Sequence, residues 1–392
     1  LNKLLIRILL HLQVEFSTNK RPMQNKIIVH SRLFNTFVHK QKLNSMKSYA
    51  FPGNINQEIL QLGSLQIPYM RTIEFSAINK DSEKILLELI GCKEGKAIIY
   101  TASGTGAMAA VVENYVTTKK KAFVVAGGTF GYRWAELCAY YNCNYTLYKV
   151  PFGKDINYTN LEEQICKERP DVFLCQHHET SSGALFDLEK ISRICQKYNI
   201  SLVVDAISSF LAEPLNMDKL KIDICLTSSQ KGLNIPPGLS IIFLSSSLKQ
   251  YPFAKKGYYF EFENNLKNME RGQTPFSPAT TIFLQLNKRI HQILDYGLEN
   301  VISDVRNRAL YFRELCKKYE WKILAEVPSS AITGFYVSHN GNKIIRDLIE
   351  KYNIFIMPSG EENFFRVSHM GVQSFCDLDE LALYIHQIEH SK

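Results

Sequence analysis

The 392-residue chain contains 45% apolar and 11% aromatic residues, enough to bury the core of a folded protein larger than one typical domain. Its net charge of +8 is concentrated at one end, because residues 1–45 hold eight basic residues and one acid, whereas the other 347 residues hold 38 and 37. A near-neutral body excludes the basic surface typical of nucleic-acid binding, and the lack of any apolar run of about 20 residues excludes a membrane span.

Residues 1–45 are apolar, basic and almost free of acids, which is the composition of an organellar transit peptide. They lack the small-residue cleavage pattern of a secretory signal, and Met46 in MKSYAFPG resembles a natural start. We therefore predict an extension outside the fold, which the pattern favours over organellar targeting. One alternative stays open, in which this basic arm serves a non-catalytic binding protein.

Nine cysteines are scattered along the chain without a CxxC pair, and several lie inside apolar runs. This distribution predicts reduced, buried thiols in a cytoplasmic protein, with neither a disulfide framework nor a zinc site. His177, His178 and His369 also lack metal-ligand spacing, so the sequence predicts no bound metal.

Short apolar runs alternate with helix-length amphipathic stretches from about residue 96 to residue 244. That alternation predicts an α/β fold whose mostly parallel sheet has seven strands covered by helices. The predicted strands are residues 97–101, 122–127, 145–150, 171–175, 201–205, 223–227 and 240–244. Further alternation from residue 291 onward predicts a small α+β domain.

Four distinctive groups follow the ends of these strands, where parallel sheets bind their ligands. The small residues SGTG lead into a helix, so the backbone amides of residues 105–107 form a phosphate cradle. Phe130 lies in a Gly-flanked turn suited to stacking on a flat ligand. Asp205 ends one strand, and Lys231 follows the next in SSQKGLNIPPG.

One flat, phosphorylated aldehyde would use all four groups, namely pyridoxal 5′-phosphate. The Lys231 amine would condense with the aldehyde, and partial desolvation favours its neutral, nucleophilic form. A buried Asp205 carboxylate beside the ring nitrogen keeps that nitrogen protonated, so the ring accepts electrons from the substrate Cα. Thr180 would hydrogen-bond the phenolic oxygen of the ring. The sequence thus predicts an enzyme dependent on this cofactor.

The chain resembles the class V aminotransferases of pyridoxal-phosphate fold type I, a group that includes alanine–glyoxylate, serine–pyruvate and 2-aminoethylphosphonate aminotransferases. The resemblance spans roughly residues 46–392. It is carried by SGTGAMAA, GGTFGYRW, HHETSSG, VVDAISSF, SSQKGLNIPPG, GQTPFSPAT and FRVSHMG. The lysine segment together with the upstream VVDAISS is the most specific part.

The resemblance implies roles for the cofactor-binding residues. Lys231 would be the lysine that condenses with the cofactor, and Asp205 would contact the pyridine nitrogen. Phe130 would stack on one face of the ring, and Ile207 would press on the other. The residues that would hold the phosphate are Thr105, Gly106, Ala107 and Gln230.

Two further residues take their roles from the resemblance. Thr274 matches the residue that reaches the phosphate of the neighbouring subunit, which implies a homodimer with shared active sites. Arg366 matches the arginine that binds the substrate carboxylate, a task that suits a planar, bidentate guanidinium.

These features predict a transaminase with a ping-pong mechanism. The amino group would pass from alanine, serine or 2-aminoethylphosphonate to glyoxylate or pyruvate. We predict a large domain of residues 46–290, a small domain of residues 291–392, and packing of residues 46–65 against the small domain. A cysteine desulfurase or another lyase of the same fold is the alternative, although its candidate nucleophile Cys316 lies in a helical pattern.

Overall fold

The computed structural model describes residues 46–391, and the described residues from Lys47 onward belong to one compact unit. The extension predicted for residues 1–45, with its targeting and binding-arm interpretations, lies outside the described residues. All nine cysteines lie inside the described part, and each has a free thiol. No helix among residues 46–391 is long and apolar enough to cross a membrane.

Fifteen strands, labelled β1 to β15, occur in the described part of the chain. They are β1 Lys47–Ser48, β2 Lys96–Tyr100, β3 Ala122–Ala126, β4 Tyr145–Lys149, β5 Val172–Gln176, β6 His178–Glu179, β7 Ala184–Leu185, β8 Ser201–Asp205, β9 Ile224–Ser228, β10 Ser240–Leu244, β11 Lys322–Ile323, β12 Ile332–Tyr336, β13 Ile354–Phe355, β14 Met357–Pro358 and β15 Phe364–Ser368.

Twelve α-helices, α1 to α12, accompany them within residues 46–391. They are α1 Gln57–Gln61, α2 Ile73–Leu89, α3 Gly104–Asn114, α4 Thr129–Tyr140, α5 Tyr158–Glu168, α6 Leu188–Lys197, α7 Met217–Leu220, α8 Phe262–Met269, α9 Thr280–Tyr296, α10 Leu298–Lys318, α11 Gly341–Tyr352 and α12 Phe375–Glu389.

The central sheet has seven strands in the order β2-β10-β9-β8-β5-β3-β4. β10 is antiparallel to both of its neighbours, whereas the other adjacent pairs are parallel. Each of the seven predicted strands is present, and no end differs from its predicted position by more than one residue. The predicted α/β fold with a mostly parallel seven-stranded sheet is therefore confirmed.

Both faces of this sheet are buried, which explains why its strands are continuous apolar runs. Along β2, Ala97 and Ile99 join one apolar cluster, and Ile98 and Tyr100 join the cluster on the opposite face. Helices α3 and α4 supply the second cluster with residues such as Met108 and Trp134. The three-layer arrangement leaves the carboxyl edge of the sheet as the place for a ligand.

The C-terminal part contains a separate four-stranded antiparallel sheet in the order β11-β12-β15-β14. Helices α10, α11 and α12 cover it around a third apolar cluster. The domain boundary predicted at residue 290 falls inside helix α9, and Gly297 separates that helix from α10. The division into two domains stays a prediction.

The first described segment packs on this C-terminal part. β1 pairs in parallel with β13, and Tyr49 belongs to the third apolar cluster. The Tyr49 carbonyl accepts a hydrogen bond from the amide of Ser368 at 2.9 Å. A segment early in the sequence therefore lies beside the strand that carries Arg366.

Truncation of Phe173 should destabilise the protein strongly. Its ring is fully buried and stacks on Phe123 of the adjacent strand, with centroids 5.8 Å apart and planes 11° apart. We expect Phe173→Ala to lower the free energy of unfolding by about 3–5 kcal/mol, measured by urea denaturation. Tyr140→Ala, at a side chain that is 79% exposed, is the control and should change it by less than about 0.5 kcal/mol. Equal effects of the two variants would contradict the assigned core.

Candidate active site

Three adjacent strands bring the predicted site residues to one edge of the sheet. β5, β8 and β9 are neighbours, and Gln176 at the end of β5 is in register with Asp205 at the end of β8. Thr180 follows β5, and Lys231 follows β9 after a short turn. Side chains that are distant in sequence therefore meet because parallel strands end together.

Asp205 is buried at the centre of this edge. Its Oδ1 accepts a hydrogen bond from the amide of Ile207 at 2.8 Å. Burial raises the pKa of Asp205 to about 7, since the charged form loses its hydration, and the Ile207 amide and the nearby Lys231 oppose the rise. A cationic group beside this carboxylate would hold it in the charged form.

Lys231 is partly buried, and its amine points into the protein. Burial lowers the pKa of Lys231 to about 7; Asp205 opposes this shift and Arg366 adds to it. The next residue must be small, because a Cβ on Gly232 would lie 2.0 Å from the carbonyl oxygen of Phe210. The turn thus holds the lysine against the end of the sheet.

Phe51 contacts this lysine and was missed by the sequence analysis. The Lys231 Nζ lies 3.4 Å from the centroid of the Phe51 ring. The segment is tied to the lysine loop because the Asn234 side-chain amide donates to the Asn54 carbonyl at 2.8 Å. The sequence around Phe51 offers only an aromatic residue in AFPG, and this does not indicate a contact with a lysine 180 residues further along the chain.

The predicted phosphate cradle is the first turn of α3, whose N-cap is Ser103. The amides of Gly106 and Ala107 already donate to the Ser103 carbonyl, at 2.8 and 3.3 Å. The amide of Thr105 has no carbonyl four residues back within the helix, and its hydroxyl accepts from Arg133 Nη1 at 2.9 Å. Thr105 in this turn and Arg133 from α4 are therefore the groups best placed for an anion.

The α3 turn lies against the loop after β8. A Cβ on Gly104 would lie 2.5 Å from the Cδ1 atom of Ile207, so a larger residue at this position would displace the end of the Ile207 side chain. Ile207 is thereby wedged between the phosphate turn and Asp205. This packing brings the predicted phosphate-binding turn close to Asp205, the predicted partner of the ring nitrogen.

Phe130 lies in the first turn of α4, beside the buried carboxylate of Glu179. Glu179 accepts hydrogen bonds from the amides of Phe130 at 3.3 Å and Gly131 at 2.9 Å. The Arg133 guanidinium carbon lies 5.0 Å from the Phe130 ring centroid. Glu179 orients the aromatic turn and was also missed, although it lies inside the quoted HHETSSG.

Thr180 and Arg366 are joined through the backbone. Arg366 Nη1 donates to the Thr180 carbonyl at 3.0 Å, and Nη2 donates to the Pro358 carbonyl at 2.8 Å. The Thr180 hydroxyl hydrogen-bonds Ser208 Oγ at 2.7 Å. Burial lowers the pKa of Arg366, and Glu179 opposes this shift. An arginine from β15 therefore reaches the edge of the central sheet.

Gln230 and Thr274 complete the predicted set. Gln230 is partly buried, and its Oε1 has no hydrogen-bond partner among the described residues. Thr274 Oγ1 donates to the Phe276 carbonyl at 2.7 Å, and the Thr274 carbonyl accepts from Arg71 at 2.6 Å. Within one chain, Thr274 therefore contacts its own loop.

The donor set fits a flat, anionic, carbonyl-bearing group. It offers an amine with a pKa near neutrality, a buried carboxylate, an aromatic ring and a cationic helix start. Gln230 Oε1 and Arg366 Nε are among the nineteen buried side-chain atoms that have no hydrogen-bond partner among residues 46–391. Buried polar groups are normally hydrogen-bonded, so these two atoms are free to accept from or donate to a polar group bound at this edge of the sheet.

Comparison with protein families agrees with this chemistry. Residues 68–351 match the family model described as Aminotransferase class-V. This chain belongs to the class V aminotransferases. Members of this family depend on pyridoxal 5′-phosphate, so the protein is a PLP-dependent transaminase.

Curated relatives cover most of the chain. It is 28% identical over 338 residues to an uncharacterized aminotransferase of Methanocaldococcus jannaschii, which covers 82% of this chain and 86% of that one. It is 25% identical over 350 residues to the serine–glyoxylate aminotransferase of Hyphomicrobium methylovorum, with 85% of each chain covered.

Solved structures share the fold of this aminotransferase. An alanine–glyoxylate aminotransferase from Nostoc sp. aligns with a TM-score of 0.82 at 22% identity, over 88% of this chain and 96% of that one. A cysteine desulfurase from Thermococcus onnurineus aligns with a TM-score of 0.71 at 14% identity, over 88% and 94%. The fold therefore accommodates both chemistries, and the site has to distinguish them.

The low pKa of Lys231 predicts an unusual dependence of stability on pH. Its pKa in the folded protein lies below its ordinary value of 10.5, so folding disfavours the charged amine and stability rises as the pH rises from about 7 to 10.5. We expect Lys231→Met to remove this dependence, and the variant should be the more stable protein at pH 7. Urea denaturation across this range measures the effect, with exposed Lys249→Met as the control.

If the stability of the cofactor-free wild type and that of Lys231→Met changed with pH in the same way, the low pKa of Lys231 would be contradicted. Phe51→Leu distinguishes two effects on the pKa of Lys231, namely burial and the contact with the aromatic ring. Leucine keeps an apolar neighbour beside the amine but removes the attraction between the cation and the aromatic face. The pH midpoint of Lys231 acylation by an amine reagent should therefore fall further in Phe51→Leu.

Proposed function

We propose that this aminotransferase moves the amino group of alanine, serine or 2-aminoethylphosphonate to glyoxylate or pyruvate by a ping-pong mechanism. The observation that carries the proposal is that a lysine with a pKa near neutrality, a buried carboxylate and a half-buried arginine lie at one edge of the sheet. The serine–glyoxylate relative supports the choice of small substrates.

Each proposed cofactor contact uses a group already described. Lys231 would hold the aldehyde carbon, Asp205 the ring nitrogen and Thr180 the phenolic oxygen. Phe130 and Ile207 would enclose the ring. The phosphate would lie against the turn of Thr105, Gly106 and Ala107, held chiefly by the Thr105 amide and hydroxyl because the other two amides also donate to Ser103, and by Gln230 with Arg133 as an added cation. When bound, pyridoxal phosphate supplies an electron sink for the substrate Cα.

Lys231 would act as the proton carrier. At neutral pH an amine with a pKa of about 7 is present in both protonation states, which is the condition for efficient general acid–base catalysis. Its Nζ would remove the proton from the substrate Cα and return a proton in the reverse half-reaction. The Phe51 ring would support the amine in its protonated state.

Arg366 would position the substrate. The Thr180 and Pro358 carbonyls fix its guanidinium in one orientation, so little side-chain entropy remains to be lost on binding. Its partnerless Nε marks the edge that is available to an anion. A carboxylate and a phosphonate both suit this fork, which is why the amino phosphonate belongs among the proposed donors.

The desulfurase alternative requires an accessible, reactive cysteine. Cys316 is buried within α10, and burial raises its pKa to about 12. Cys376 is exposed but lies in the first turn of α12 rather than on a loop. Release of sulfide from cysteine at a rate comparable to transamination would favour the alternative.

We also propose a homodimer in which Thr274 reaches the partner's active site. Large apolar side chains are exposed along residues 65–73 and 258–259, including Ile73 at 84% and Tyr258 at 81%. Such a patch exceeds the scattered exposure expected of a monomer. The reduced thiols support a cytoplasmic location for this dimer.

Absorbance spectra test the proposed reaction. The cofactor-loaded protein should show a visible band that Lys231→Ala lacks, because the band requires the lysine. One of L-alanine, L-serine or 2-aminoethylphosphonate should abolish the band, and glyoxylate or pyruvate should restore it. Arg366→Lys should weaken the response to that donor at least tenfold, since a lysine cannot form the bidentate contact. A band unaffected by all three donors would refute the proposed substrates.

Sedimentation and cofactor titration test the dimer. The protein should sediment as a dimer, and Ile73→Asp should produce monomers because a carboxylate cannot be buried in an apolar interface without cost. Thr274→Val should weaken cofactor binding in the dimer. Glu270→Gln, an exposed change on the same segment, is the control. A monomeric wild-type protein that binds the cofactor fully would contradict the shared site.

A further inference from the structure

The end of helix α12 carries a cluster of metal-ligating side chains far along the sequence from the proposed cofactor contacts. Ligand atoms of His386, Glu389 and His390 all lie within 4.8 Å of one another. The His386 and His390 ring centroids are 4.4 Å apart, and His339 lies 5.5 Å from His390 across the helix end. Two histidines four residues apart on one helix face form a recognised zinc-binding arrangement.

The hydrogen bonds of His390 leave one of its nitrogens available. Its Nδ1 lies 3.0 Å from the His386 carbonyl, which can only accept, so Nδ1 is the donor. The lone pair then resides on Nε2, the tautomer that metal-bound histidines commonly adopt. Nδ1 of His386 is buried without a partner among the described residues.

Glu389 places a buried negative charge beside the two rings. It is 1% exposed, and its oxygens accept from Trp321 Nε1 at 2.8 Å and from the Ser338 amide at 2.7 Å. Its Oε2 lies 4.0 Å from Nδ1 of His390. A buried carboxylate is stabilised by a nearby cation, and the carbonyl end of a helix favours one as well.

We propose that His386, Glu389 and His390 bind a divalent transition-metal ion of the zinc class. Imidazole nitrogen and carboxylate oxygen are both ligands for such ions, and the neighbouring His339 ring would complete the coordination. The ion would join α12 to the loop before α11 and so stabilise the C-terminal sheet. The ring contact of His386 with Tyr319 does not use the nitrogen lone pairs, so it leaves them for a metal.

Zinc titration of the full, cofactor-loaded protein tests this site, with free cofactor removed and bound metal first stripped by a chelator. Competition with a chromogenic zinc chelator should show one ion per chain, and zinc should raise the midpoint of thermal unfolding. His390→Gln should weaken zinc binding at least about tenfold and abolish the thermal shift. His386→Gln should do the same, and transaminase activity should stay unchanged in His390→Gln.

Two control variants separate this site from accidental binding. His291→Gln removes a partly exposed histidine paired with Asp81 and should leave zinc affinity unchanged. Cys376→Ser removes an exposed thiol and should also leave it unchanged. The proposal is overturned if zinc does not bind, if His390→Gln binds zinc as well as the wild type, or if Cys376→Ser loses the ion.

Discussion

Burial of two ionisable groups at the carboxyl edge of the central sheet is the constraint on which the site depends. Asp205 and Lys231 lie at the ends of adjacent strands, and loss of hydration moves both pKa values to about 7. At neutral pH, a carboxyl group and an amine with pKa values in this range are each present in both protonation states. A charged group bound between them therefore changes their protonation, and a site that transfers protons requires this response.

Close backbone packing keeps these groups in place. Gly104 lets the phosphate turn approach Ile207, and Gly232 lets the lysine turn approach Phe210. A side chain on Gly232 would push the lysine turn away from the Phe210 carbonyl, and a side chain on Gly104 would displace the end of the Ile207 side chain. The shape of the site thus depends on the missing side chains of these two glycines as well as on the reactive groups.

Arg366 shows how a second sheet contributes to the same site. It belongs to β15 but donates to carbonyls at Thr180 and Pro358, so the C-terminal part and the central sheet share one hydrogen-bonded group. The segment at Phe51 also bridges them, through Asn54 and Asn234. Movement between the two parts would change the position of the arginine relative to the lysine.

The sequence by itself determined the seven strands, the fold class and the residues at the strand ends, because apolar periodicity and turn chemistry are encoded within a few neighbouring residues. Only the tertiary structure decided the contact of Phe51 with Lys231, the partners of Glu179, and the use of the Gly106 and Ala107 amides by Ser103. Those features depend on the packing of segments far apart in sequence. The pKa values do as well, since desolvation is the sum of contributions from every element around a group.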